Sequence, residues 1–186
     1  MTTRLETILE QPVDLASAKL HLRVDHADED ALITALIAAA VDMASQHTGR
    51  SIAKCTWLLC LDAFPIAAMR LLWPPVLSVE SVKYLDADGA EQTLPTASYI
   101  VDAHSEPARL VAASGQAWPA TLPTPNAVTV RYTAGYGAEC PEPVRQWILL
   151  QVGHWYKNRE SINVGNIVTP MPYVDGLLDR YRIWSV

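Results

Sequence analysis

Cys140 stands before Pro141 at the start of an expected helix, where the positive end of the helix dipole favours a thiolate. A nucleophilic cysteine also needs a base and an oxyanion site, and the sequence identifies neither; a Gly-x-Ser-x-Gly elbow is absent as well. Gly135-Tyr-Gly137 precedes the same helix and invites comparison with a phosphate cradle. Only one spacing of the dinucleotide pattern is there, and Glu139 and Glu142 would repel an anion, so a turn is the better reading. Asp86-Ala-Asp88-Gly89 opens like a calcium loop, but its glycine comes too early. Asp-Gly suits the positive-φ positions of a hairpin turn. His21, His26, His47, His104 and His154 include no i, i+4 pair of the kind that makes a helical metal site, which leaves structural or interfacial roles. Asp25, Asp28, Glu29 and Asp30 read as a solvated helix start. These residues predict no catalysis, no cofactor and no metal centre.

The elements that would position such residues are easier to read. Pro141-Glu-Pro-Val-Arg-Gln-Trp-Ile-Leu-Leu-Gln-Val-Gly-His-Trp-Tyr-Lys-Asn-Arg159 predicts a helix. Prolines suit its first turn, Glu142 its start, and Lys157 and Arg159 its end. Val144, Ile148, Val152 and Trp155 share one face, while Trp147, Leu149, Leu150 and Tyr156 spread apolar surface round the rest. Such a helix needs cover on more than one side. Asp14 is the expected N-cap of a helix over 15–24, and a longer helix over 29–48 ends at Gly49. Residues 1–13 read as an extended arm. From Ser51 the period changes, and strands are expected near 56–62, 66–72, 77–85, 90–94, 99–102, 108–111 and 127–133. A loop over 161–172 and a last short helix over 174–181 complete the chain.

Helices, a long β-rich block and helices again predict an α+β fold. The N- and C-terminal helices would form a small helical bundle, with an antiparallel β-rich insertion between them. The corresponding domains are 1–50 with 138–186, and 51–137.

The 186 residues are 50% apolar and 18% charged, which describes a folded chain of one domain or two small ones. A net charge of −6 argues against a basic nucleic-acid-binding surface. Six Trp and seven Tyr against one Phe hint at interfaces, where such amphipathic rings are favoured. Cys55, Cys60 and Cys140 have neither disulfide nor metal spacing, consistent with a reducing cytosolic origin. No signal peptide or membrane-spanning run is expected.

Two segments together carry a resemblance. Pro12-Val-Asp-Leu-Ala-Ser-Ala-Lys-Leu-His-Leu-Arg-Val-Asp25, with Glu29-Asp-Ala-Leu-Ile33, Leu36-Ile-Ala-Ala-Ala40 and Thr48-Gly-Arg50, resembles the N-terminal signature of phage head–tail connector proteins, nearest to the gene-product-eight-like group. The stretch 141–160 resembles their C-terminal signature. Ser78-Val-Glu-Ser-Val-Lys-Tyr84, Asp86-Ala-Asp-Gly89, Trp118-Pro119 and Tyr132-Thr-Ala-Gly-Tyr-Gly137 fit between them, so the resemblance spans about residues 12–160.

The resemblance implies a structural virion protein of the head–tail neck, assembled in the host cytoplasm. It implies an adaptor that docks on the portal protein and joins the DNA-filled head to the tail. Its partners would be the portal, a tail-side neck or tail-terminator protein, and its own copies in a closed ring of about twelve subunits. DNA would pass through without sequence-specific binding. On that reading Trp147, Trp155 and Tyr156 are expected at the subunit interface. Asp25, Asp28, Glu29 and Asp30 are expected to line the channel, and Tyr173, Tyr181 and Trp184 to form a portal-contacting tail. The competing expectation is a β-rich ligand- or carbohydrate-binding module using Trp57, Trp73 and Trp118 as a platform.

Overall fold

A computed structural model describes residues 1–158 and 172–184. The chain is α+β, with antiparallel sheets, and divides into two compact units. One holds Met1–Glu10 and Lys54–Gly135; the other holds Gln11–Ala53 and Tyr136–Val186.

The first unit contains β1 (Thr2–Glu10), β2 (Lys54–Leu61), β3 (Met69–Leu71), β4 (Val76–Leu85), β5 (Glu91–Thr93), β6 (Tyr99–Asp102), β7 (Ala108–Ala112) and β8 (Val128–Ala134). A five-stranded sheet has the order β1-β2-β8-β4-β5, and a three-stranded sheet the order β3-β7-β6. Strand alternation sets which face is apolar. Leu59, Val130 and Val82 lie in one cross-strand row, and Trp57, Tyr132 and Val79 in another. These residues pack with Met69, Leu71, Leu110 and Tyr99 of the smaller sheet. The opposite face is polar. There Arg131 sits 2.7 Å from Glu6 and 3.4 Å from Glu80, and Thr133 donates to Glu80 at 2.6 Å, which ties β1, β8 and β4 together.

The first ten residues are the main correction to the expected organisation. They do not accompany the helices as an arm; nine of them form the edge strand β1, paired antiparallel with β2. Their mix of Thr, Ile and Leu with alternating charge suits a strand that only one neighbour covers. β3 is shorter than the strand expected over 66–72, because Ile66 lies in a fully exposed bend.

The second unit contains α1 (Leu15–Leu22), α2 (Asp30–Thr48), α3 (Glu142–Lys157) and α4 (Pro172–Asp179). Asp14 caps α1 as expected, accepting from the Ser17 N–H at 2.7 Å. Gly49 ends α2 in the left-handed region at φ 71°, where a side chain would be strained. α2 packs on α3, α1 touches both, and α4 packs on α3 and α2. Gly153 of α3 faces α1: a Cβ there would come into ordinary contact with His21, 3.4 Å from its Nε2. Ile33, Ile37, Ala40 and Ala44 of α2 and Val144, Ile148 and Val152 of α3 are buried, with Val13 and Leu178. The expected loop over 161–172 lies almost wholly outside the described residues.

Candidate interaction surfaces

The sequences that hinted at chemistry are occupied with structure. Cys140 is buried, and desolvation pushes its thiol up to about 12, with Arg145 only partly offsetting this. The helix dipole is outweighed, so the nucleophile reading fails. The N–H of Gly135 donates to the Pro75 carbonyl at 2.9 Å and that of Gly137 to the Ile52 carbonyl at 3.2 Å, which spends the donors a phosphate would need. Asp86 accepts the N–H groups of Asp88 and Ala90 and the Gln92 amide, closing the β4–β5 hairpin. Those bonds hold its carboxyl below the usual range, the Gln92 bond foremost. Among the described residues no group of three or more His, Cys, Asp and Glu side chains is placed to hold a metal. Nor is any described helix long and apolar enough to cross a membrane.

The tryptophans expected as a sugar platform do not form one. Trp57 stacks on Trp73 at 5.1 Å, and Trp118 stacks on Phe64 at 4.9 Å, with Tyr84 edge-on to Phe64. These are two separate pairs, of which Trp57, Phe64 and Trp118 pack against the buried core of the first unit.

Trp147 is 1% exposed, so it is a core side chain of its own unit rather than a surface anchor. With it goes much of the apolar surplus of α3. The exposed side of that helix carries Glu142, Gln146, His154 and Lys157, with Leu150 as its one large aliphatic residue. Trp155 and Tyr156 are half-buried. The Tyr156 hydroxyl donates to Glu29.

The acidic run is divided by its contacts. Asp25 and Asp28 are exposed, and Asp28 lies 3.8 Å from His26. Asp30 pairs with Lys19 at 2.6 Å, joining the start of α2 to α1, and Glu29 holds Tyr156.

The C-terminal segment is anchored before it is presented. The Ile183 N–H donates to the Thr48 carbonyl at 2.8 Å, and Arg50 Nε donates to the Tyr181 carbonyl at 2.6 Å. One of the carbonyls left open at the end of α2 is thereby satisfied. Trp184 follows, 68% exposed, with the Arg182 guanidinium 4.5 Å from its ring centroid. Tyr173 lies in α4, but its side chain falls outside the described residues.

Sequence reasoning missed two apolar surfaces. Leu32, Ala35, Leu36, Ala39 and Met43 form a second stripe on α2, beside the buried one, and all but Leu36 are exposed. On β1, Leu5, Ile8 and Leu9 are exposed on an edge strand. The i, i+3, i+4 spacing of these residues was present in the sequence, but spacing alone does not separate an outer apolar stripe from the buried one beside it.

Residues 12–95 match the profile of a family described as "Phage gp6-like head-tail connector protein". The head–tail connector resemblance is thus borne out, under the gp6-like description where the motifs pointed to the gene-product-eight-like group. No curated protein matches the chain. Among solved structures, the chain is similar to one from the "Neck of empty GTA particle computed with C6 symmetry", at TM-score 0.80 and 24% identity, covering 100% of this chain and 97% of that one. A chain of the "Virion of native gene transfer agent (GTA) particle" gives the same values. One from the "Neck of native GTA particle computed with C12 symmetry" has TM-score 0.77 at the same identity and coverage. The fold is therefore one shared with these chains.

Proposed function

We propose that this protein is the structural adaptor of a head–tail neck, a virion protein without enzymatic activity. It assembles in the host cytoplasm, closes into a ring on the portal, and joins the DNA-filled head to the tail. The observation that carries this reading is the coincidence of the connector match over residues 12–95 with a fold similar to that of a chain in a particle neck. The C6 and C12 symmetries named for the similar necks support a ring of about twelve copies.

In this reading the helices of the second unit form the connector's bundle, and the strands of the first are its insertion. The outer stripe of α2, with Trp155 and Tyr156, faces a neighbouring subunit. Asp25 and Asp28, backed by Glu29 and Asp30, line a channel whose negative charge keeps DNA from adhering. Trp184, with Tyr181 and Tyr173, meets the portal, and a tail-side neck or tail-terminator protein binds below. Removing the reading frame from a particle-producing genome tests the role. DNA-filled heads without tails, beside free tails, are expected; tailed, functional particles would refute it.

A further inference from the structure

The five-stranded sheet ends in two open edges of matching pattern. β1 is an edge strand with eight of its nine residues exposed; Leu5 and Ile8 are each 47% exposed although they point to the buried side. At the other end, β5 covers only Lys83–Leu85 of the ten-residue β4. Val82 already has its carbonyl taken on that side by Leu94, while the Pro75 carbonyl accepts from Gly135 on the inner, β8 side. Among the described residues, Val76–Ser81 between them therefore forms an open main-chain edge. Unpaired edges of this kind accept a further strand.

We propose that β1 of one copy adds to the Val76–Ser81 edge of the next, with Leu5 opposite Val79 and Ile8 opposite Val76. This inference rests on the ring reading and names its seam. Four observations support it. The first is direction: three successive antiparallel pairings make β1 run opposite to β4, so a neighbour in similar orientation presents β1 antiparallel to that edge. The second is register. Leu5, Trp57, Tyr132 and Val79 form one cross-strand row on the apolar side, and Ile8, Cys55, Ala134 and Val76 form another. The proposed pairing continues both rows into the next copy without a slip.

The third is spacing. Apolar residues fall three apart on each edge, because β1 and β4 each have a register shift between them. The fourth is charge: the same register sets Arg4 opposite Glu80, which lies on the polar face beside Arg131. A seam from one end of a sheet to the other uses two different surfaces, as ring closure requires.

Within one chain β2 and β8 separate β1 from β4, so residues 5 and 79 stand about 14 Å apart, beyond disulfide reach. A Leu5→Cys, Val79→Cys double variant assembled on purified portal should therefore, on mild oxidation, give a ladder of cross-linked chains. Neither single variant should do so. Leu5→Lys, at an exposed position, should keep the native melting temperature and lose ring assembly. Rings of the double variant that yield only single chains, or normal assembly of Leu5→Lys, would overturn the seam and leave the connector reading intact. If the native chain forms no ring on portal, the connector reading falls and the seam with it.

Discussion

The hydroxyl of Tyr156, near the end of α3, donates a hydrogen bond to the carboxylate of Glu29, the residue that leads into α2. Tyr156 was expected at a subunit interface and Glu29 in a channel, yet the two are bound to one another within a single unit. With the Lys19–Asp30 pair, this contact fixes the first turn of α2 to both α3 and α1. The start of α2 is thus a junction within the subunit, and of the acidic run only Asp25 and Asp28 remain exposed.

Tyr156→Phe removes the donor while keeping the ring. A hydrogen bond to a carboxylate is worth about 1.5–3 kcal/mol net, and the variant should lose an amount near the low end of that range in urea unfolding because the pair is only half-buried. An unchanged midpoint would show that the contact contributes nothing.

Trp147 and Trp155 should separate stability from assembly. Trp147→Ala empties a core site and is expected to cost about 3–5 kcal/mol, enough to unfold a marginal unit. Trp155→Ala, at a half-buried position, should remain folded by circular dichroism and assemble poorly on portal. Normal assembly of the Trp155 variant would remove that residue from the interface.

The helices and most strands were legible because their signals are local. Asp14, Gly49 and the Pro141-Glu-Pro start fix helix ends through capping and backbone geometry. β1 was not legible, because an edge strand with two exposed faces lacks the apolar alternation that marks a half-buried one. Trp147 was misplaced for the same kind of reason. Helical spacing gives the direction of a side chain, but which neighbours cover it depends on α1, α2 and α4 packing round α3. The division of the acidic run depended on Lys19 and on Tyr156, 127 positions away.

Cys140 should resist alkylation. Its thiol is pushed up to about 12, so the reactive thiolate is scarce at pH 8 and rises only as pH approaches that value. Under native conditions iodoacetamide should label half-buried Cys60 first. Rapid labelling of Cys140 at pH 8, read by peptide mass, would contradict the burial.

The C-terminal segment should show two separable effects. Truncation after Arg180 removes the bonds from Ile183 and to Tyr181, and should lower stability by about 1–3 kcal/mol through the uncapped end of α2. Trp184→Ala leaves those bonds in place and should weaken portal binding alone. Equal stability of the truncated and full chains in thermal unfolding would rule out the capping role.

Asp25→Lys with Asp28→Lys replaces exposed negative charge with positive. In assembled particles this should slow DNA release, most at low salt, where phosphate contacts are strongest. Release at the native rate across a salt series would place these residues away from the DNA path.

The adaptor role itself is tested most directly by electron microscopy of purified portal mixed with this protein. A closed ring of the chain stacked coaxially on the portal is the predicted result. Bare portals, with the protein left free in solution at saturating concentration, would contradict it.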